Sequence, residues 1–207
     1  MAVETVMDGV VAALAIALLI AVYVSWLLTY RTSKQRPVGS SFWFALPAGA
    51  QIAGGFGITL LSIFFGCLLW IPLVSVSSPV AAWILRLSGL ALVVCGVALW
   101  FWSRRTLGRM MGISTSSAAQ LQVNHVLVQH GPYAFVRHPM YVSYWCLLAG
   151  LLVMYRTITL LILLALMVAS MSRRAGREEQ VLRIAFGTDW ESYAGRVPKF
   201  FPRIRRD

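Results

Sequence analysis

Apolar side chains in this chain run in long uncharged blocks, separated by stretches rich in basic residues, proline and serine. A helix needs about 20 apolar residues to cross roughly 30 Å of hydrocarbon. Residues 9–30 supply 22 uncharged positions and close on the interfacial aromatics Tyr23, Trp26 and Tyr30. A cleaved leader would begin with a basic segment, whereas Glu4 and Asp8 precede this block, so it reads as a retained helix. Residues 42–85 are uncharged over 44 positions, too many for one crossing, and Pro72, Ser75, Ser77, Ser78 and Pro79 supply a turn within them. Two further spans are predicted there, near 54–76 and 80–102. Ala45, Gly49, Ala53 and Gly57 recur every fourth residue and predict a small-residue face for close helix approach. Arg86, near the start of the third span, is expected to snorkel to the headgroups.

After a polar segment over 103–137, two shorter apolar runs, 139–154 and 157–171, flank Tyr155 and Arg156. Sixteen and fifteen residues reach only about 22–24 Å as helices, which predicts a short helical hairpin packed inside a bundle, with a covered tip or a thinned bilayer. The pattern as a whole predicts an all-α, polytopic membrane bundle of about five transmembrane helices, the last two forming the hairpin. One domain over 1–207 contains three spans in 1–102, a connector over 103–138, the hairpin over 139–171 and a cytosolic helical segment over 172–207.

Composition agrees: 59% of residues are hydrophobic and only 12% charged, against about 25% charged in soluble domains. The net charge of +11 would suggest nucleic acid in a soluble protein. Here the basic residues flank apolar spans, and membrane lipids, not nucleic acid, are the expected partner. Sixteen of the 18 Lys and Arg residues fall on one side of a five-span arrangement, leaving Arg86 and Arg156 near the other. This predicts a multi-pass protein with its N-terminus outside and its C-terminus in the cytosol. Cys67, Cys95 and Cys146 lack any paired spacing and read as small core residues. His125, His130 and His138 are five and eight apart with no carboxylate nearby in sequence, so no metal site is predicted.

All seven carboxylates lie near the ends of the chain, none between Gly9 and Arg177, so carboxylate chemistry must draw on the C-terminal segment. Polar groups fit for chemistry concentrate in two stretches, 125–144 and 173–206, which adjoin the two ends of the hairpin. In the first, Gly131-Pro132 makes a turn and Pro139 suits the first position of a helix, whose positive end would lie beside Arg137 and His138 and favour an anion. In the second, Arg174 and Glu178 are four apart and share a helical face; Glu179 is adjacent. Such pairs are common on solvated helices, but these are the first carboxylates after Asp8 and stand at the membrane surface. No Walker loop, GxSxG elbow or strand-linked GxGxxG occurs.

Together the two stretches resemble the isoprenylcysteine carboxyl methyltransferase family and its relatives among membrane phospholipid methyltransferases. The resemblance covers residues 128–202. It rests on Gly131-Pro132-Tyr133, on Arg137-His138-Pro139 with Tyr141, and, beyond the hairpin, on Glu178-Glu179, Leu182, Phe186-Gly187, Tyr193 and Val197-Pro198-Lys199-Phe200-Phe201-Pro202. It implies an enzyme that uses S-adenosyl-L-methionine in a cytosolic pocket closed by the C-terminal segment. Carried over residue by residue, cofactor contacts fall on Gln129, His130, Gly131, Tyr133, His138, Tyr141, Glu178 and Glu179. The catalytic positions are Arg174, to hold the acceptor, and Glu178. Ser143 stands where the family often has glycine, and is expected to narrow or polarise the pocket mouth. Trp190 stands where tyrosine is common. The terminal residues 200–206 either cap the site or anchor in the headgroups.

The implied substrate is a lipophilic or lipid-linked small molecule. A carboxylate of isoprenylcysteine type is already a nucleophile and needs orientation by Arg174 but no base. The amine of an ethanolamine phospholipid must lose a proton, which would make Glu178 or His138 the base. A non-catalytic membrane protein retaining the fold is the remaining alternative.

Overall fold

The computed structural model describes residues 71–110 and 126–202. The first span, most of the second and the Ala45 to Gly57 stripe lie outside the described residues, as does His125. Every helix and turn described follows from local signals at its ends. Helix α1, Pro79–Leu107, starts at the Ser78 N-cap, whose hydroxyl accepts from the Ala81 N–H at 3.4 Å, with proline at the first helical position. Arg104 and Arg105 occupy its last turn, where the dipole favours cations, and Gly108 ends it at φ 52°. Its 29 residues exceed the predicted 80–102 by six, mostly at the C-terminal end, and reach about 43 Å. Within it, the Arg86 guanidinium lies over the Trp83 ring, 5.9 Å from the centroid.

The predicted second span does not extend to Val76: from Ile71 to Ser78 the chain is not helical. Pro72 interrupts it, and the backbone here pairs elsewhere. The Leu73 N–H donates to the Arg156 carbonyl at 2.7 Å, and the Ile71 carbonyl accepts from the Ile158 N–H at 2.9 Å. These two bonds cover the tip of the predicted hairpin. Helix α2, Pro139–Tyr155, is the short first arm; Arg156 turns the chain in the left-handed region at φ 52°, and Thr157 caps α3 through its hydroxyl.

The second arm is much longer than expected. Helix α3, Ile158–Phe186, does not end at Met171 where the apolar run stops, but continues through the charged sequence to Gly187. Apolar periodicity measures the part in contact with lipid; helix continuation depends on backbone propensity, which Arg, Glu, Gln and Leu supply. Helix α4, Thr188–Arg196, follows at once with Asp189 and Glu191 in its first turn.

Among the described residues α1 and α3 are long and apolar enough to cross a membrane, and α2 is a shorter apolar helix. Antiparallel α1 and α2 approach closely because Gly89 faces Gly150 and Gly96 faces Ser143. A Cβ built at Gly89 would stand 2.6 Å from the Gly150 carbonyl oxygen. Val93, Trp100 and Leu147 fill the rest of this interface, and the Trp100 indole donates to the Tyr144 hydroxyl at 3.0 Å. Cys95 is exposed and Cys146 half-buried, so neither is the core residue expected; both sit on apolar helix surface. A second core joins α4 to the connector: Trp190, Tyr193 and Val197 pack with Leu127, Leu182 and Phe186. Beyond α4, residues 197–202 form a strap that returns to the start of α2. Pro198 and Lys199 carbonyls accept from the Arg137 and His138 N–H groups at 2.9 and 3.2 Å.

Candidate active site

The site forms where α2 begins and the charged half of α3 passes. Upstream, a 3-10 turn over Gly131–Ala134 brings the chain under the end of α1. Gly131 has φ +61°, and a Cβ there would meet the Thr106 hydroxyl at 2.8 Å, so both conformation and space require glycine. Pro139 then starts α2 with His138 as its N-cap residue, which fixes the imidazole at the helix mouth.

Five side chains from the two arms converge on one another. The His138 Nε2 lies 3.1 Å from Glu179 Oε1, and its Nδ1 lies 3.6 Å from Glu178 Oε2. The ring stacks on Tyr141 with centroids 5.4 Å apart, and the Tyr141 hydroxyl donates to Glu178 Oε1. Arg174 Nε reaches the same carboxylate oxygen at 3.4 Å while its guanidinium lies 5.8 Å from the Tyr141 ring centroid. Predicted residues His138, Tyr141, Arg174, Glu178 and Glu179 are thus one cluster. The anion expected at the mouth of α2 is supplied by the chain itself, through Glu178 and Glu179.

The two glutamates have different surroundings. Glu179 is gripped by three basic side chains: His138, Arg137 Nε at 3.0 Å and Lys199 Nζ at 3.3 Å. Burial pushes its carboxyl up, but hydrogen bonds from His138 and Arg137 outweigh this and hold it down at about 2. This part of α3 lies past the apolar run and outside the membrane-spanning segment. Glu178 instead faces Tyr141 and Arg174.

The remaining predicted residues stand apart from the cluster. Gln129 accepts from Arg196 at 3.1 Å on the exposed rim. His130 is exposed, and Gly131 lies against Thr106 and Trp102. Tyr133 is buried between the two groups; its carbonyl accepts from the Tyr193 hydroxyl at 2.8 Å, and burial pushes its phenol above the usual range. Burial likewise raises Tyr193, to about 12.

Ser143 does not reach a pocket mouth. It is fully buried against α1, its hydroxyl donates to the Met140 carbonyl at 2.6 Å, and its small size serves the contact with Gly96. Trp190 is core, 2% exposed, with the Arg137 guanidinium 5.8 Å from its centroid. Arg137 had no predicted site role, yet besides Glu179 it donates to the Ala194 and Val197 carbonyls at 2.8 and 2.7 Å. Lys199 was likewise unassigned, while Phe200, expected either to cap the site or to anchor in the headgroups, has its ring 5.7 Å from His138 and 4.6 Å from Trp145. Their signal was present in the terminal motif, but sequence cannot show that the strap returns to α2. Among the described residues no three His, Cys, Asp or Glu side chains form a group able to hold a metal.

This arrangement gathers carboxylates and aromatic rings at the charged end of an apolar helical hairpin. The profile described as phospholipid methyltransferase matches residues 84–189, and the chain belongs to that family, among whose relatives is the isoprenylcysteine group that its motifs resemble. The protein-S-isoprenylcysteine O-methyltransferase of Schizosaccharomyces pombe is 38% identical over 89 residues, 42% of this chain and 37% of that protein. The cobalt-zinc-cadmium resistance protein CzcN of Cupriavidus metallidurans is 36% identical over 108 residues, 48% of this chain and 49% of that one. The nickel-cobalt-cadmium resistance protein NccN of Alcaligenes xylosoxydans xylosoxydans is 41% identical over 78 residues, 38% of this chain and 37% of its own. The chain spans less than half the length of these curated relatives. A solved eukaryotic intramembrane Ras methyltransferase, isoprenylcysteine carboxyl methyltransferase, is similar at a TM-score of 0.47 and 23% identity, over 78% of this chain and 70% of that one.

Proposed function

We propose that this chain transfers a methyl group from S-adenosyl-L-methionine to the carboxylate of a lipophilic, isoprenylcysteine-type acceptor at the cytosolic face of a membrane. The observation that carries the reading is the convergence of His138, Tyr141, Arg174 and Glu178 at the polar end of an apolar hairpin. The donor set suits the cofactor: an adenosyl amino acid offers hydroxyls and an ammonium that carboxylates accept, and flat faces that aromatic rings cover. Glu178, His138 and Tyr141 would hold it, with Tyr133, Gly131, His130 and Gln129 on the rim side. When bound, S-adenosyl-L-methionine supplies a methyl group activated on a sulfonium.

The residues of the chain then have separate tasks. Arg174 orients the acceptor oxygen, its plane fixed by Glu178 on one side and the Tyr141 ring on the other. Methyl transfer is an in-line displacement, so alignment is the main requirement. No proton is removed from a carboxylate, and none of these residues needs to serve as a base. Glu179 acts as an organiser, drawing Arg137, His138 and Lys199 together. We place the N-terminus outside and the C-terminal segment in the cytosol, following the distribution of Lys and Arg, and treat residues 1–207 as one domain.

The test uses labelled cofactor and membranes containing the protein, with a prenylated N-acetylcysteine and phosphatidylethanolamine offered together. Base-labile label on the prenylated acid is expected. Label confined to ethanolamine lipid would establish the amine acceptor instead, and label in neither, together with no binding of S-adenosylhomocysteine, would mean a non-catalytic protein.

A further inference from the structure

We infer that Trp145 positions the acceptor, donating a hydrogen bond from its indole Nε1 to the oxygen that Arg174 also holds. This rests on the carboxylate-acceptor reading above. Trp145 is 8% exposed, and its Nε1–H is enclosed with no hydrogen-bond partner among the described residues. Indole N–H groups in protein interiors usually find one. Trp100, buried in the neighbouring interface, does so at Tyr144. An orphaned donor of this kind calls for a reason, and its position supplies one.

Trp145 stands one helical turn beyond Tyr141 on the same side of α2. It shares a cluster with Tyr141 and Ala175, and Ala175 follows Arg174 directly on α3. The indole therefore packs against Tyr141, the ring on which Arg174 and Glu178 also converge. The other walls are apolar: Leu164, Met167 and Met171 from α3, and Phe200 from the strap. Unbranched methionines conform to flexible chains, so the surroundings suit a hydrocarbon tail whose polar head reaches Trp145. Phe200 is the wall able to yield. It belongs to the strap and not to a helix, and its neighbour Phe201 is 72% exposed. Phe200 packs on the indole with ring centroids 4.6 Å apart, so its displacement would open the indole to an acceptor.

An indole N–H only donates. It matches an oxygen with lone pairs to spare, such as the second oxygen of a carboxylate, and mismatches an ammonium, which also only donates. With Arg174 it would hold a carboxylate from two sides and select against an ethanolamine headgroup.

The experiment replaces Trp145 with benzothienylalanine, which keeps the bicyclic shape but puts sulfur in place of N–H, and in parallel makes Trp145→Phe. Binding of a prenylated N-acetylcysteine to the full-length protein in detergent is measured by calorimetry without cofactor, and the acceptor KM with it. Both variants are expected to weaken acceptor binding and raise KM by about tenfold, the value of one hydrogen bond to a charged group, while S-adenosylhomocysteine affinity stays at the wild-type value. Acceptor affinity within about twofold of wild type in the sulfur isostere, well under the value of such a bond, overturns the inference, as does failure of the wild type to bind the acid. If Trp145→Phe loses S-adenosylhomocysteine binding through misfolding, the isostere decides. A wild type that binds the acid but methylates only phosphatidylethanolamine overturns the proposed function, and leaves the Trp145 donor to be judged on binding alone.

Discussion

A single guanidinium, that of Arg137, joins three parts of the chain: Glu179 on α3, the last carbonyls of α4, and the strap whose backbone pairs with its own N–H. Lysine at this position keeps the charge but loses the fork that serves three acceptors. Arg137→Lys is therefore expected to loosen the strap by about 1–3 kcal/mol, read as faster tryptic cleavage at Arg196 and Lys199 with helical content unchanged; wild-type cleavage rates would contradict this. The two glutamates should separate in the same way. Glu178→Gln, which disturbs the Tyr141 and Arg174 contacts, is expected to lower turnover by about 100-fold through lost alignment and leave protease resistance intact. Glu179→Gln, which weakens the grip on His138, Arg137 and Lys199, should lower both. Equal behaviour of the two variants in a combined turnover and proteolysis assay would refute the division. Arg174 and the glutamate pair were legible from their spacing and from the scarcity of carboxylates, and His138 from its place before the helix that Pro139 starts, whereas Tyr141 entered only through the family resemblance. That resemblance gave Glu178 a catalytic part and Glu179 a cofactor contact only, but did not reveal Arg137 and Lys199 as partners of Glu179, because adjacent residues on a helix point about 100° apart and only the folded chain shows what lies at each heading.

At the scale of elements, the hairpin was legible from two uncharged runs around Tyr155 and Arg156, and a covered tip was one of the two alternatives, with a thinned bilayer, that the shortness of both runs implied. The length of α3 was not legible, since charged residues end an apolar block without ending a helix. The small-residue contact was also missed: Gly89, Gly96, Ser143 and Gly150 are paired seven apart on two different helices, a pattern with no signature within either sequence alone. Their closeness gives a prediction. Gly150→Ala places a methyl group against the Gly89 carbonyl oxygen, 2.6 Å away, and Val93. It is expected to cost about 1–3 kcal/mol of stability by overpacking, measured as a lower unfolding temperature in detergent. An unchanged value would mean that α1 and α2 slide apart without cost. The same wedge should misplace His138 relative to α3 and depress turnover.

Across the whole molecule, α4 and the strap close the end of the hairpin that carries the charged cluster, and one internal bond ties this cap to the upstream turn: the Tyr193 hydroxyl on the Tyr133 carbonyl. Burial lifts the folded-state phenol of Tyr193 to about 12, against about 10 in an unfolded chain. A raised value means that the stabilisation is complete below about pH 10 and is lost as pH climbs toward 12. The cap is expected to become protease-sensitive over that interval, and Tyr193→Phe should remove this step while weakening the cap at neutral pH; an identical alkaline transition in the variant would assign it to another group. Because α3 is unbroken from the Arg156 turn before its start to the glutamates, it acts as a ruler. Twenty residues of rise set the carboxylate level about 30 Å from the tip of the hairpin, roughly the depth of one hydrocarbon slab. A lipid-borne acceptor of the kind proposed would thus arrive with its head already at the working height, whereas the same head group cut from its tail would have to find that level by diffusion in three dimensions.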